Sequence, residues 1–407
     1  MIPDPPAPPL RRGPRPLLLH LTLAMLRSTA STAVLPSSRH GWPKSSAGRA
    51  EAERIAAALA ASREATEPEF VRALLARLGR EDRELIAGIA AYRRHPYRRI
   101  LPDPPVLWQE GESRLLDYAT ARRARPTVLF VPSLVNRAHV LDLAPGHSFL
   151  RFLAAQGIRP LLLDWGWPDA SARRFTLTDY IAGRFERALT SVRGPVVLAG
   201  YCMGGLLALA AALRRPERFR ALALLATPWD FHAPDPAPAQ ALARLLPLFA
   251  PALAFDSTLP IDLLQVLFAL LDPFAVSAKY RSFARLDPAG SRAELFVALE
   301  DWLNDGIPLA APVAREALAD WYGGNLPGRG LWRVAGMAVE PSGLRMPAFV
   351  AVPARDRIVP PESARPAAFA IPGAVLHEPR AGHIGMVAGS TAESALWRPF
   401  ADWLAGL

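Results

Sequence analysis

The chain has 407 residues, 51% of them apolar, which is enough for one large domain with appended segments and a full core. Its single cysteine excludes an intramolecular disulfide and the cysteine-rich zinc sites. The formal charge of +10 comes almost entirely from arginines. Because these are scattered and not clustered with aromatic residues, they point away from a nucleic-acid binder, towards a compositional bias or an attraction for an anionic substrate.

The N-terminal part of the chain has no strand pattern. Arg11, Arg12 and Arg15 precede the apolar run Pro16–Leu26, which is too short to cross a bilayer and has no small-residue cleavage site after it. We interpret this run as an amphipathic or partner-binding helix, with a secretory signal as the alternative. The following residues have helical periodicity, so we predict a helical N-terminal extension over residues 1–105.

A different pattern begins near residue 126, where short apolar runs alternate with helical segments. Continuous apolar strands separated by helices are typical of a parallel sheet that is covered on both faces. We therefore predict one α/β catalytic domain over residues 106–407. Its expected strands are PTVLFVP, IRPLLLD, PVVLAG, FRALALLA, MPAFVAVP and GAVLHE.

The strand rhythm is lost over about residues 228–345. This stretch is rich in leucine and phenylalanine, and proline, aspartate and arginine interrupt it too often for a membrane span. An insertion of this size between sheet strands predicts a helical cap over the active site. An additional layer of the core is the alternative.

One motif carries the chemistry. Gly200-Tyr201-Cys202-Met203-Gly204 has the Gly-x-Ser-x-Gly pattern of the α/β-hydrolase nucleophile elbow, with cysteine in place of serine. An apolar strand precedes it and a helix-forming run follows it, as the elbow requires. The glycines two residues before and after the nucleophile leave room for a sharp turn. The helix dipole and backbone N–H groups at this turn favour a reactive thiolate.

The fold predicts the partners of Cys202 from their order along the chain: nucleophile, acid, then histidine. Asp356 follows a late strand, and His383 follows the last one. The backbone N–H of Met203, and a second one after the first long strand near Leu134, are expected to form the oxyanion hole.

Other polar residues fit these roles less well. Of the other histidines, His377 has the position of a structural residue in the last strand, and His232 follows the strand after the elbow and is a candidate to line the pocket. His139 and His147 precede the nucleophile, which is the wrong order. No metal-ligand spacing, P-loop or dinucleotide fingerprint is present, so no metal or cofactor is expected.

The motif Gly-Tyr-Cys-x-Gly-Gly is shared by dienelactone hydrolases and polyhydroxyalkanoate synthases, and the flanking blocks distinguish the two families. From about Leu107 to the C-terminus the chain resembles the synthase catalytic subunit. Its ending is most similar to the shorter, two-subunit class. The family's usual Pro-Pro-Trp-Ile-Asn-Lys is replaced by VPSLVNR, and Arg357 replaces the usual histidine after the aspartate. The blocks that carry the resemblance are VLWQEGESRLLDY, VPSLVNRAHVLDLAPGHSFLRFLAAQGIRPLLLDWGWP, LTDYI, GYCMGG, DRIVPPES and GHIGMV.

This resemblance implies a Cys202–His383–Asp356 triad acting on an (R)-3-hydroxyacyl-CoA thioester. In the family's chemistry the cysteine takes the acyl group and CoA leaves. Asp356 would orient His383, or help to activate the 3-hydroxyl that extends the polyester. The resemblance also implies a cytoplasmic protein associated with polyester granules, a partner subunit and a homodimer. It implies no cofactor, because the CoA thioester is the substrate, and no nucleic-acid partner or transmembrane span.

Two other functions remain open from the sequence. The first is a cysteine-dependent hydrolase, acting as a thioesterase or an intracellular polyester depolymerase, in which water reaches the acyl-cysteine. The second is a granule-surface or scaffold protein without activity. The intact elbow, Asp356 and His383 argue against the second alternative.

Overall fold

The structure is a computed structural model that describes residues 11–33, 45–61, 67–121 and 125–407. Parts of the predicted N-terminal extension lie outside the described residues, and its boundary at residue 105 stays a prediction. The fifteen α-helices of the described chain are α1 (Leu17–Ala33), α2 (Ser46–Ala61), α3 (Glu67–Arg94), α4 (Phe149–Ala155), α5 (Glu186–Thr190), α6 (Met203–Arg214), α7 (Pro236–Ala243), α8 (Leu246–Asp256), α9 (Ile261–Leu271), α10 (Ala275–Phe283), α11 (Ser291–Asn304), α12 (Ala311–Arg315), α13 (Pro361–Ala370), α14 (Gly385–Ala388) and α15 (Arg398–Ala405).

The chain divides into two compact units. The first contains the described part of residues 1–98 together with residues 272–300. The second contains the described part of residues 99–271 together with residues 301–407. The stretch predicted as a cap thus contributes residues 272–300 to the first unit and its remaining residues to the second.

The first unit is built from helices. Its core contains Leu85, Ile89 and Tyr92 of α3, which pack with Tyr280 and Phe283 of α10. The helix predicted near residues 16–26 is present as α1, which places Ala24 in the same core. Beside it, the guanidinium of Arg27 donates to Glu81 at 2.7 Å.

An eight-stranded sheet forms the centre of the second unit. The strand order is β1-β2-β4-β3-β5-β6-β7-β8. The first two strands form an antiparallel hairpin that pairs antiparallel with β4, and all other pairs are parallel. The strands are β1 (Val106–Glu110), β2 (Ser113–Asp117), β3 (Thr127–Val131), β4 (Arg159–Asp164), β5 (Val196–Tyr201), β6 (Phe219–Leu225), β7 (Ala348–Ala351) and β8 (Val375–His377).

The six strands predicted from continuous apolar runs are confirmed as β3 to β8. Every residue of β3 and of β5 is buried, as expected for a parallel sheet with helices on both faces. The β1–β2 hairpin was not predicted as part of the sheet. Its burial is uneven, because β1 lies at the edge of the sheet and three of its five residues are exposed.

The chain between β6 and β7 is mainly helical and contains α7 to α12, followed by a π-helix over Glu316–Gly323. Two short ladders also lie in this part of the chain, and a third follows β3. Further π-helices cover Asp179–Phe185 and Glu393–Trp397, and 3₁₀ turns cover Ala138–Leu141, Ala172–Arg174, Pro216–Arg218 and Pro341–Gly343. The short ladders pair Asp142–Ala144 with His147–Ser148, Thr258–Leu259 with Leu309–Ala310, and Arg333–Val334 with Met337–Ala338.

No single described helix is both long enough and apolar enough to cross a bilayer. Two consecutive pairs, α7 with α8 and α9 with α10, reach the required length and composition only when each bent pair is counted as one segment.

Candidate active site

Cys202 lies at the turn between β5 and α6. Its backbone has φ +56° and ψ −129°, a conformation that is costly for a residue with a side chain. Two hydrogen bonds hold it there. The N–H of Cys202 donates to the carbonyl of Leu225 in β6 at 2.8 Å, and the carbonyl of Cys202 accepts from the N–H of Gly205 at 2.9 Å. The sharp turn therefore presents the thiol at the carboxyl end of the parallel strands.

Three glycines permit this turn because the backbone around them is too close for a side chain. A Cβ at Gly200 would lie 2.4 Å from the Cα of Gly205, and a Cβ at Gly204 would lie 2.1 Å from the carbonyl oxygen of Val131. A Cβ at Gly205 would lie 1.8 Å from the Oγ1 of Thr227. The strand, the helix and the two neighbouring loops thus meet at distances that only glycine allows.

Asp356 and His383 come from the loops that follow β7 and β8, and the structure brings them together. The Nδ1 of His383 donates to the Oδ2 of Asp356 at 2.6 Å. The other carboxylate oxygen of Asp356 accepts from the N–H groups of Ile358 and Val359, both at 2.9 Å. The Asp356 side chain has no exposed surface. Its carboxylate is therefore fully engaged, and it fixes the orientation of the imidazole.

The charge on His383 depends on both Asp356 and Cys202. Burial disfavours the charged imidazolium, but the negative charge of Cys202 and the hydrogen bond that His383 donates to Asp356 outweigh burial and raise the pKa of His383 to about 10. Since a protonated histidine beside a thiol favours the thiolate, the arrangement suits nucleophilic attack.

Tyr201, the residue before the nucleophile, hydrogen-bonds His383 and packs against its ring. Its hydroxyl donates to the backbone carbonyl of His383 at 3.2 Å, and the two ring centroids lie 5.2 Å apart. Burial, followed by the negative charges of Cys202 and Asp356, raises the pKa of Tyr201 well above its usual value. The sequence analysis did not assign this residue a function, although it occupies a variable position of the elbow motif.

The two predicted oxyanion donors belong to two segments that pack on each other, the elbow and the loop after β3. Met203 begins α6, and Leu134 lies in the loop after β3, where both side chains are buried. That loop packs on the elbow through Val131, whose carbonyl faces Gly204. The indole N–H of Trp165 donates to the carbonyl of Pro132 at 3.1 Å and fixes the start of the loop.

The far end of the loop after β3 is held by residues from the insertion. The N–H of Ile307 donates to the carbonyl of Val135 at 3.1 Å, and the indole of Trp302 donates to the carbonyl of Arg137 at 2.7 Å. Both contacts use backbone carbonyls of the loop. The candidate oxyanion loop is therefore held by the elbow on one side and by residues 302–307 on the other.

Tyr322, in the π-helix Glu316–Gly323, is a residue of the site that sequence reasoning missed. Burial and then the negative charge of Cys202 raise the pKa of Tyr322 to about 12. The imidazole of His232, predicted as a pocket-lining candidate, donates from Nε2 to the backbone carbonyl of Tyr322 at 3.0 Å. Since Tyr322 is 120 positions after Cys202, no local pattern in the sequence connects the two.

His377 and His139, two further histidines of the described chain, have different surroundings. The Nε2 of His377 donates to the carbonyl of Ala395 at 2.6 Å, and its ring stacks on Phe349 at 5.6 Å between centroids. His139 lies in the 3₁₀ turn Ala138–Leu141, where burial and the charges of nearby arginines lower its pKa to about 4.

Comparisons with known proteins identify the fold and the family. Residues 126–389 match the family model of the alpha/beta hydrolase fold. A poly(3-hydroxyalkanoate) polymerase subunit of Haloferax mediterranei is 31% identical, and the match covers 74% of this chain but only 63% of that relative. The subunit of the same name from Allochromatium vinosum is 29% identical over 70% of this chain and 82% of its own length.

Similarity to solved structures is more distant. A monoacylglycerol lipase from Paleococcus ferrophilus matches 73% of this chain and 99% of its own at 16% identity, with a TM-score of 0.46. A match at that level adds nothing to the assignment, which depends on the family model and on the curated relatives. The chain belongs to the α/β-hydrolase family, and its resemblance to the catalytic subunits of polyhydroxyalkanoate synthases is confirmed.

Proposed function

We propose that this protein is an acyltransferase that polymerises (R)-3-hydroxyacyl-CoA through an acyl group carried on Cys202. The observation that carries the proposal is the 2.6 Å hydrogen bond from His383 to Asp356 at the carboxyl end of the sheet, with the negative charge of Cys202 acting on the same imidazole. The curated relatives are named as poly(3-hydroxyalkanoate) polymerase subunits, which supports this choice of reaction.

In the first half-reaction the thiolate of Cys202 attacks the thioester carbonyl. The N–H groups of Met203 and Leu134 stabilise the negative charge that develops on the carbonyl oxygen. The carbon–sulfur bond to CoA then breaks, and the imidazolium of His383 gives its proton to the departing CoA thiolate. The products are free CoA and an acyl-cysteine, whose thioester keeps the acyl group activated.

In the second half-reaction His383, now neutral, accepts the proton of a 3-hydroxyl group. The resulting alkoxide attacks the acyl group on Cys202, an ester bond forms, and the cysteine leaves as a thiolate beside the imidazolium. Each cycle thus lengthens the polyester by one unit and restores the starting charges.

The geometry favours an orienting role for Asp356 over direct activation of the 3-hydroxyl. Both of its oxygens are engaged by protein donors, and the side chain has no exposed surface through which a substrate could reach it. We therefore assign proton transfer to His383 and assign to Asp356 the task of holding His383 in one tautomer.

The reaction would need no cofactor besides the CoA thioester. Since the polymer is insoluble, we place the working enzyme at the surface of a cytoplasmic polyester granule. The relatives' names include the word subunit, and on that ground we include a partner subunit in the proposal. We also include a homodimer.

Product analysis tests the reaction. The purified protein, alone and together with any second subunit encoded beside it, is incubated with (R)-3-hydroxybutyryl-CoA, and CoA release is followed together with the products. A polymerase releases CoA while ester oligomers or insoluble polymer accumulate and free 3-hydroxybutyrate stays low. One free acid for each CoA, with no ester, would establish a thioesterase and overturn the proposal.

A further inference from the structure

A buried amide connects the π-helical part of the insertion to the loop that follows β6. Asn325 lies two residues after the π-helix Glu316–Gly323, is 6% exposed and has φ +49°. Its side-chain oxygen accepts from the N–H of Phe231 at 2.9 Å, and its side-chain nitrogen donates to the Oδ1 of Asp230 at 2.7 Å. Both ends of the amide are thus bonded to the same loop.

The loop that receives Asn325 is itself well fixed. The N–H groups of Trp229 and Asp230 both donate to the carbonyl of Ser363 in α13, at 3.0 and 2.9 Å. The Oδ1 of Asp230 accepts a further bond from the N–H of His232 at 2.9 Å. Asn325 therefore joins the insertion to a loop that is anchored elsewhere in the fold.

This loop begins next to the nucleophile. The last residue of β6, Leu225, accepts the N–H of Cys202, and Thr227 packs directly against Gly205. The same loop also contacts the π-helical segment, because Phe231 packs on Tyr322 with ring centroids 5.0 Å apart. The amide thus bonds the segment that carries Tyr322 to a loop that starts in contact with the elbow.

Gly328 provides the space that the amide needs. A Cβ at this position would lie 2.7 Å from the Oδ1 and 2.8 Å from the Nδ2 of Asn325. Because these atoms are fixed by their own hydrogen bonds, a methyl group at residue 328 would displace them without removing the asparagine.

We propose that Asn325 is a positioning residue that fastens the Tyr322 segment to the loop after β6 and so closes this side of the Cys202 site to bulk water. The inference depends on the proposed function in one respect, namely that Cys202 carries the acyl group. Water that enters would hydrolyse the acyl-cysteine, releasing a free acid and the thiol. An intact connection leaves the 3-hydroxyl of a second acyl group as the attacking nucleophile.

The chain's single cysteine allows a direct test without substrate. The rate at which iodoacetamide alkylates native protein reports the access of solvent to Cys202. Asn325→Ala is expected to raise this rate about tenfold, as expected when an opening equilibrium loses buried hydrogen bonds. Arg329→Ala, which removes an exposed side chain and its 3.3 Å bond to the carbonyl of Gly324 but leaves the bonds of the Asn325 side chain in place, is the matched control and is expected to leave the rate unchanged.

Two further variants separate positioning from loss of folding. Gly328→Ala is expected to raise the alkylation rate in the same direction while it keeps the asparagine. Asn325→Asp places two carboxylates together and is expected to open the site.

Alkylation of folded Asn325→Ala and Gly328→Ala at the wild-type rate would overturn the inference. A second readout is the yield of free 3-hydroxybutyrate for each CoA released, which is expected to rise several-fold in Asn325→Ala. If the wild type itself yields only free acid, the polymerase proposal fails, while the alkylation rates still decide the role of Asn325.

Discussion

Two parts of the site are held by different kinds of contact. The first is the floor, which is the elbow turn around Cys202. The second is the connection, which consists of the bonds from Asn325 to Asp230 and Phe231. At the floor, Gly200 and Gly204 let backbone segments approach within distances that exclude any side chain, and Gly205 leaves room for the side chain of Thr227. At the connection, the amide of Asn325 makes two hydrogen bonds to residues 94 and 95 positions earlier in the chain. Close backbone packing cannot relax without moving a strand, whereas a side-chain bond can open and close.

This difference separates two tasks. The floor fixes where the sulfur, the imidazole and the proposed oxyanion donors lie, and an error there is expected to affect every step of the proposed reaction. The connection decides which molecules reach the acyl group after it has formed. Changes at the floor are therefore expected to abolish activity or folding, and changes at the connection are expected to alter the product.

The largest expected effect comes from removing the nucleophile. Cys202→Ala should lower the rate of CoA release at least about a thousandfold, because no covalent intermediate can form. Alanine is smaller than cysteine and fits the same turn, so the thermal unfolding midpoint should change little. CoA release at the wild-type rate would show that the floor does not perform covalent catalysis at this residue.

A smaller loss is expected when the acid is changed. Asp356→Asn should lower CoA release about a hundredfold, because the amide cannot hold His383 in the required tautomer and charge state as the carboxylate does. Asp235→Asn is the matched control, since Asp235 is exposed and caps α7 through a bond that asparagine can also make. Equal activity of the two variants would contradict the orienting role of Asp356.

A glycine substitution tests the close packing of the floor. Gly204→Ala places a methyl group against the backbone of Val131 and Pro132, and it should lower the free energy of unfolding by about 3 kcal/mol. Gly343→Ala is the control, because a Cβ there would make only an ordinary contact of 3.5 Å with Leu213. Denaturant unfolding measures the free energy of unfolding of both variants. Equal values would contradict the claim that the floor requires glycine at position 204.

The smallest effect concerns the pH dependence of stability. Burial opposes the charge on His383, yet the negative charge of Cys202 raises its pKa from about 6.5 to about 10 in the folded protein. A raised pKa contributes stability that is complete below pH 6.5 and is lost as the pH rises towards 10. Denaturant titrations from pH 6 to pH 10 should show this loss in the wild type and less of it in Cys202→Ala. If stability depended on pH in the same way in both proteins, the charge of Cys202 would not raise the pKa of His383.

The parallel sheet and the elbow were predictable because their signals are local. Continuous apolar runs marked β3 to β8, and glycine spacing marked Cys202. Asp356 and His383 could be proposed from their order after late strands. The β1–β2 hairpin was not predicted as sheet, because its exposed edge residues carry no continuous apolar run.

Other parts of the site depend on contacts between distant residues, which no sequence pattern predicts. Tyr322 and Asn325 lie in a helical insertion that has no motif of its own, and they are brought to the site by bonds with His232, Phe231 and Asp230. The grouping of residues 272–300 with the N-terminal helices has the same origin, since it results from packing between distant segments. Periodicity identifies such helices but does not identify their partners.

Trapping the acyl group tests the central claim most directly. The wild type is mixed with (R)-3-hydroxybutyryl-CoA, quenched in acid during turnover, digested with a protease and examined by mass spectrometry. We predict hydroxybutyryl groups on the peptide that contains Cys202, singly and as short oligomers, and none on that peptide from Cys202→Ala. CoA release with an unmodified Cys202 peptide at every quench time would contradict the account.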